Sequence, residues 1–200
     1  WLAAAHLSDG RITPLDEGRR FTAAVTPDGR WALGRDDTDY ISDWKPAYAD
    51  WSRIDTRTGE AVPVIQGLER ALGLSPLGSH WLYWEDGQVH AYEVGADEHV
   101  NLTAEAPASF VDTDWDYFGE RPPWGIGGYT ADGDGVLLYD EHDVWLQPLD
   151  GGTPTNLTGG WGAANEVRLR VMPMDPEAET VDLSEPVHLR GFGKLTKQDG

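Results

Sequence analysis

The sequence predicts an all-β fold built from β-propeller blades, and three features carry that prediction. A turn-bearing phrase occurs three times, as Thr26-Pro27-Asp28-Gly29, Ser75-Pro76-Leu77-Gly78 and Thr130-Ala131-Asp132-Gly133, with starts 49 and then 55 residues apart. A period in that range marks propellers and other repeat arrays. Each phrase precedes an apolar run: Trp31-Ala32-Leu33, Trp81-Leu82-Tyr83-Trp84 and Val136-Leu137-Leu138-Tyr139. Apolar side chains on both faces of a period-2 strand need cover on both sides, which blades provide by packing face to face. Composition agrees, with 40% hydrophobic residues, ten Trp, seven Tyr, and 24 Gly and 13 Pro to supply frequent turns.

Within each repeat the elements follow one order. First strands precede the turn, at Ala23–Val25, Ala71–Leu74 and Ile126–Tyr129, and their small residues suit the inner strand of a crowded channel. Pro27 and Pro76 sit in the turns, where a fixed φ helps and a missing N–H costs little. The apolar runs are the second strands. Third strands are read at Tyr48–Ile54, Val89–Val94 and Val144–Leu149, and fourth strands at Val62–Ile65, Val100–Thr103 and Thr155–Thr158. No long helix is expected; Leu68, Ala71 and Leu72 have helical spacing but fall where a first strand belongs.

Trp1 to Gly10 aligns with Trp145 to Asp150 and Gly151, and Pro186-Val187-His188-Leu189-Arg190 reads as a strand with no partner unit after it. The expectation is a fragment with about three whole blades and a part blade at each end, where a closed ring takes ~4 to 8 blades. The borders are a part blade over 1–18, blades over 19–69, 70–124 (with a rim insertion) and 125–165, and an incomplete blade over 166–200. The stretches 104–124 and 168–186 exceed what a minimal blade needs, and such insertions often carry contacts. Alone, a segment open at both ends is expected to associate through exposed faces and strand edges.

The formal net charge of −20 excludes nucleic acid and anionic membrane as favoured partners, because phosphate contacts need clustered Lys and Arg. Solubility is the simplest reading of the acidic surface. Zero Cys excludes disulfides and thiolate metal sites here. No apolar stretch approaches the ~18 residues of a membrane span.

Several motifs then resemble the prolyl oligopeptidase-like serine peptidases (the S9 family), in which a β-propeller accompanies an α/β-hydrolase domain. The Thr-Pro-Asp-Gly unit with its closing Asn-Leu-Thr is also similar to TolB-like propellers. The more specific part is Glu120-Arg121-Pro122-Pro123-Trp124-Gly125-Ile126-Gly127-Gly128, Leu138-Tyr139-Asp140 with Asp143-Val144-Trp145, Asn156-Leu157-Thr158-Gly159-Gly160, and the run from Gly191 to Gly200. Leu77 and Ala131 depart from the repeat, standing where Asp and Pro are usual. The resemblance implies a bacterial parent protein, periplasmic or secreted, that cleaves peptide bonds with a Ser-His-Asp triad in a hydrolase domain after residue 200. This segment would then restrict the access of peptide substrates, its partners being the peptide and that hydrolase domain. It carries no catalytic residue of its own: a nucleophile elbow needs Gly-x-Ser-x-Gly, and no Ser here has Gly at both flanking positions. The alternative is a TolB-like binding scaffold without catalysis.

Local constellations have simpler readings. Asp112-Thr113-Asp114-Trp115-Asp116 lacks the Gly and distal Glu of an EF-hand, so no metal is assigned to it. Asp132-Gly133-Asp134-Gly135 is a hairpin turn, and Asp140-Glu141-His142-Asp143 is a polar bend that matches no zinc spacing. No cofactor is called for. The sequons at Asn101 and Asn156 occupy equivalent blade positions and read as repeat structure. The candidate substrate-binding residues are Arg121 and Trp124, where a rigid Pro pair can present a guanidinium to a peptide carboxylate; the competing reading is an Arg that pairs with Glu120 or a nearby Asp.

Overall fold

The computed structural model describes residues 2–16, 21–44 and 46–200. Trp1, aligned above with Trp145, and the blade border at 18–19 lie outside the described residues.

Strands β1 (Ala3–His6) and β2 (Arg11–Pro14) form an antiparallel hairpin. Four strands follow, β3 (Phe21–Val25), β4 (Trp31–Asp36), β5 (Ala49–Asp55) and β6 (Ala61–Leu68), paired in that order. The next four are β7 (Arg70–Leu74), β8 (His80–Glu85), β9 (Gln88–Glu93) and β10 (Glu98–Asn101), again in sequence order. A third sheet holds β11 (Ile126–Thr130), β12 (Gly135–Tyr139), β13 (Val144–Pro148) and β14 (Thr155–Asn156). After a one-turn helix, α1 (Trp161–Asn165), come β15 (Val167–Val171), β16 (Thr180–Val181) and β17 (Leu189–Gly193). β16 adds to the third sheet parallel to β11, while β15 and β17 pair antiparallel. The chain is therefore all-β, and its three successive four-stranded antiparallel meanders are the blade unit of a β-propeller.

The described residues divide into two compact units, one running up to Glu85 with Tyr92–Glu98, the other Asp86–Ala91 with His99–Gly200. In the first unit the sheet β3–β6 is covered on both faces. Leu33 and Leu68 pack with Trp81, Tyr83, Tyr92 and Val94 on one side, while Ala32 and Ile54 pack with Leu15, Leu2 and Ala4 on the other. Alternate residues of β4 thus enter different cores, as its two-faced apolar pattern requires. Trp51, Trp81 and Tyr83 continue the first core as a ring series with centroids 4.6 and 5.4 Å apart. Arg53 on β5 donates to the Val94 carbonyl at 2.9 Å, pairs with Asp97 at 3.2 Å, and lies 4.4 Å over the Trp31 ring. In the second unit Leu137, Tyr139 and Val144 pack with Leu169, and Trp124, Val171, Val181 and Leu189 close over them.

The repeat has a side-chain logic. Thr26, Ser75 and Thr130 are each about 5% exposed or less, and each hydroxyl accepts a backbone N–H five residues on, from Trp31, His80 and Gly135. Gly29, Gly78 and Gly133 all have φ between 70 and 81°, the left-handed region that fixes Gly at the fourth turn position. The closing Asn-Leu-Thr works in the same way. Asn101 and Asn156 accept the N–H of Thr103 and Thr158, whose hydroxyls accept the N–H of Val89 and Val144 at the start of the neighbouring strand.

Two differences from the sequence reading have physical causes. The glycines of β7 and β11 serve a bulge: pairing slips between Ala71 and Gly73 and between Ile126 and Gly128, where Gly73 and Gly128 take φ of 113 and 131°. The strand expected at Pro186–Arg190 begins only at Leu189 and pairs with the preceding β15, of which Arg168-Leu169-Arg170-Val171, alternately charged and apolar, falls within the long stretch 168–186.

Candidate functional site

The segment after β10 returns on itself. The Asp112 N–H donates to Pro122 O at 2.7 Å and the Trp124 N–H to Phe110 O at 2.8 Å, with Val111 and Pro123 bridged between them. Phe110, 3% exposed, meets the Trp145 ring edge-on at 6.2 Å. Proline at 122 and 123 costs this ladder little, because Pro122 contributes a carbonyl and Trp124 supplies the donor. The base of the loop is anchored again by Glu120, whose carboxylate accepts the Gly87 N–H at 2.6 Å.

Beneath the loop lies a cationic stack. Arg168 and Arg170, alternate residues on one face of β15, place their guanidinium carbons 4.5 and 5.8 Å from the Trp124 ring. Arg170 also lies 4.5 Å over Tyr139 and donates to the carbonyls of Leu169, Asp140 and Glu141. Burial lowers the Arg170 pKa from its ordinary value, the ion being held by ring faces and neutral carbonyls. Arg168 pairs with Asp114 in the loop and, at 3.5 Å, with Glu141, which Lys194 also contacts. Hydrogen bonds from Arg168 and Lys194 hold the Asp114 and Glu141 carboxyls below the usual carboxylate range.

The structure separates the two predicted residues. Arg121 is exposed on the loop, whereas Trp124 is half-buried in the core, with guanidinium groups over its ring. What the sequence reading missed is the loop's apex, where Tyr117 and Phe118 are 74% and 92% exposed and Trp115 stands 5.2 Å from Tyr117. The run Trp115-Asp116-Tyr117-Phe118 was itself the available signal, since aromatics so placed need cover or a partner.

The acidic motifs have structural duties. Asp112 Oδ1 accepts the Asp114 N–H, and Asp114 faces Arg168. Asp143, 1% exposed, accepts the Thr158 hydroxyl and the N–H groups of Gly162 and Ala163, and so caps α1. Asp140 takes the N–H groups of His142 and Asp143 with one oxygen and the Trp145 indole N–H with the other. Among the described residues no group of three His, Cys, Asp or Glu side chains converges to hold a metal ion, and no helix is long and apolar enough to cross a membrane.

No protein-family model matches the chain, and no curated protein matches it. Solved structures similar to it include a TolB from Agrobacterium tumefaciens (14% identity, TM-score 0.42, covering 89% of this chain and 62% of that one). Puromycin hydrolase matches at 15% identity and a TM-score of 0.44 over 97% of this chain and 30% of that one. The RRP9 WD40 repeats match at 10% identity and a TM-score of 0.40 over 92% of this chain and 52% of that one. The chain thus spans less than two thirds of each of these proteins.

Proposed function

We propose that this chain is the non-catalytic β-propeller segment of a prolyl oligopeptidase-like serine peptidase of the periplasm or extracellular space, and that it restricts the entry of peptides to a hydrolase domain outside these 200 residues. The observation that carries this reading is the clamped loop 110–124. Its base is paired and carries the exposed Arg121, its flank is tied to Arg168 through Asp114, and its apex offers Tyr117 and Phe118. A loop held in one shape gives up little conformational entropy when a peptide lies against it. Exposed aromatic rings supply area and the guanidinium supplies a bidentate partner for a peptide carboxylate. Trp124 orients this surface from below by holding Arg168 in line with Asp114.

Peptide binding tests the site. Replacing Arg121 by Ala should weaken an unstructured peptide with a free terminal carboxylate by about 10-fold, the loss of one charge-assisted hydrogen-bond pair, and should leave the amidated peptide unchanged. Equal affinity of both peptides for wild type and variant sinks Arg121 as the carboxylate partner. The gene tests the parent activity: a Gly-x-Ser-x-Gly elbow followed by Asp and His downstream supports a peptidase. A stop after one or two more blades supports a TolB-like scaffold, which the net charge of −20 favours for a basic partner whose affinity falls steeply with added salt.

A further inference from the structure

In the second unit, the chain between β15 and β17 arches away from the sheet and leaves a cavity of about 390 Å³ against β11. Its walls are mainly apolar, from Val171, Met172, Met174, Val181 and Val187, and one side is the backbone of Gly127 and Gly128, which put no side chain into the space. The volume falls within the range of small-molecule sites, roughly 300 to 1,000 Å³. β16 holds the wall in place, being paired to β11 and donating no slack: Ala131 N–H bonds to Val181 O at 3.0 Å.

The permanent charges of the lining are all negative. Asp175, Glu179, Asp182 and Glu185 contribute carboxylates, His188 adds an imidazole, and among the described residues no Lys or Arg takes part. Asp175 and Asp182 are partly occupied by their own turns, accepting the N–H groups of Glu177 and Ser184. Glu179 and Glu185 are exposed and hold no ion pair among the described residues. An apolar hollow beside two carboxylates with no cation attracts a positively charged head and rejects an anion, while the hollow itself takes a hydrocarbon tail. We propose that this cavity binds a small amphiphilic organic cation of the alkylammonium class, with the tail against Met172 and Met174 and the ammonium between Glu179 and Glu185. This site is separate from the loop 110–124 and does not depend on the parent protein being a peptidase.

The two methionines of the chain both line the cavity, so their methyl groups report on it. The experiment titrates the chain, carbon-13-labelled at the methionine methyls, with octylammonium, octanol and octanoate, and assigns the two signals with Met172→Leu and Met174→Leu. Octylammonium should shift both signals saturably and bind about 10-fold more tightly than octanoate, the combined effect of two surface carboxylates. Glu179→Gln and Glu185→Gln, at exposed positions that leave the core untouched, should each weaken octylammonium by about 2- to 5-fold and leave octanol unchanged. Added salt should reproduce that selective loss in the wild type. Methionine signals that stay still with all three probes overturn the site. Octanol or octanoate binding as tightly as octylammonium overturns the ligand class.

Discussion

At the scale of single residues, the three turn phrases are one device with one defect. Asp28 and Asp132 each accept the hydroxyl of the first turn residue, at 2.5 Å, and a backbone N–H two residues on, from Arg30 and Asp134. Those bonds, the hydroxyl of Thr26 or Thr130 first, hold both carboxyls below their ordinary pKa of 3.8. In the second phrase Leu77 stands in the Asp position, 58% exposed, and the Ser75 hydroxyl, which accepts the His80 N–H, has no turn carboxylate to donate to and meets the Ser79 hydroxyl at 3.5 Å. Leu77→Asp should therefore stabilise the chain by about 0.5–1 kcal/mol, the net worth of one exposed turn hydrogen bond. Chemical denaturation reads this as a higher midpoint at unchanged slope. An unchanged or lower midpoint shows that one more negative charge on a chain at −20 outweighs the bond. The neighbouring Gly78 has a further constraint, since a Cβ there would stand 2.5 Å from Pro27 Cδ, so adjacent turns meet where only glycine fits.

Among the elements, the first strands of the second and third sheets share a bulge at a positive-φ glycine, and only one of the two is also crowded. A Cβ on Gly73 meets nothing within 4 Å, whereas one on Gly128 would lie 2.9 Å from Val181 Cγ2, on the strand that joins β11 in parallel. Gly73→Ala should cost about 1 kcal/mol for backbone strain alone, and Gly128→Ala about 2–3 kcal/mol because strain and overpacking add. Thermal melts of the two variants decide this, and equal losses would mean that β16 moves aside without cost. These strands also show what the sequence made legible. Turn phrases and two-faced apolar runs depend on local chemistry, so the first three strands of each meander stand within a few residues of where periodicity placed them. The fourth strands of the second and third meanders instead run Glu98–Asn101 and Thr155–Asn156, because Thr103 and Thr158 turn their hydroxyls to the neighbouring strand. The bulges, β15 and β16 depend on partners distant in sequence: Val167 to Val171 acquires its strand identity by pairing with Leu189 to Gly193. The candidate loop was legible at Arg121 and Trp124 by composition, but no spacing rule links Trp124 to Arg168 or Asp114 to Arg168, 54 residues away.

For the whole molecule, charge sets two opposing dependences on pH. At neutral pH the −20 net charge loads the folded state with self-repulsion, which protonation and salt both relieve. Against that stands a set of carboxylates whose folded pKa is depressed: Asp28 by Thr26, Asp132 by Thr130, Asp114 by Arg168 and Glu141 by Lys194. A depressed folded pKa means that the unfolded chain takes up protons first. The stability these groups supply is therefore complete above their unfolded values near 4, and is lost as pH falls through the lower folded ones. The melting temperature should rise modestly from pH 7 towards pH 5, as repulsion declines while the bonds remain, and fall steeply below about pH 4, where the bonds go. Salt on the order of 0.5 M should flatten the upper limb and leave the acid limb largely in place, since screening replaces the relief of repulsion but not hydrogen bonds to ionised oxygens. Melts across that pH range at low and high salt test both limbs. A monotonic decline from pH 7 downwards would show that the paired carboxylates outweigh repulsion throughout, and an acid limb abolished by salt would show that repulsion alone governs the molecule.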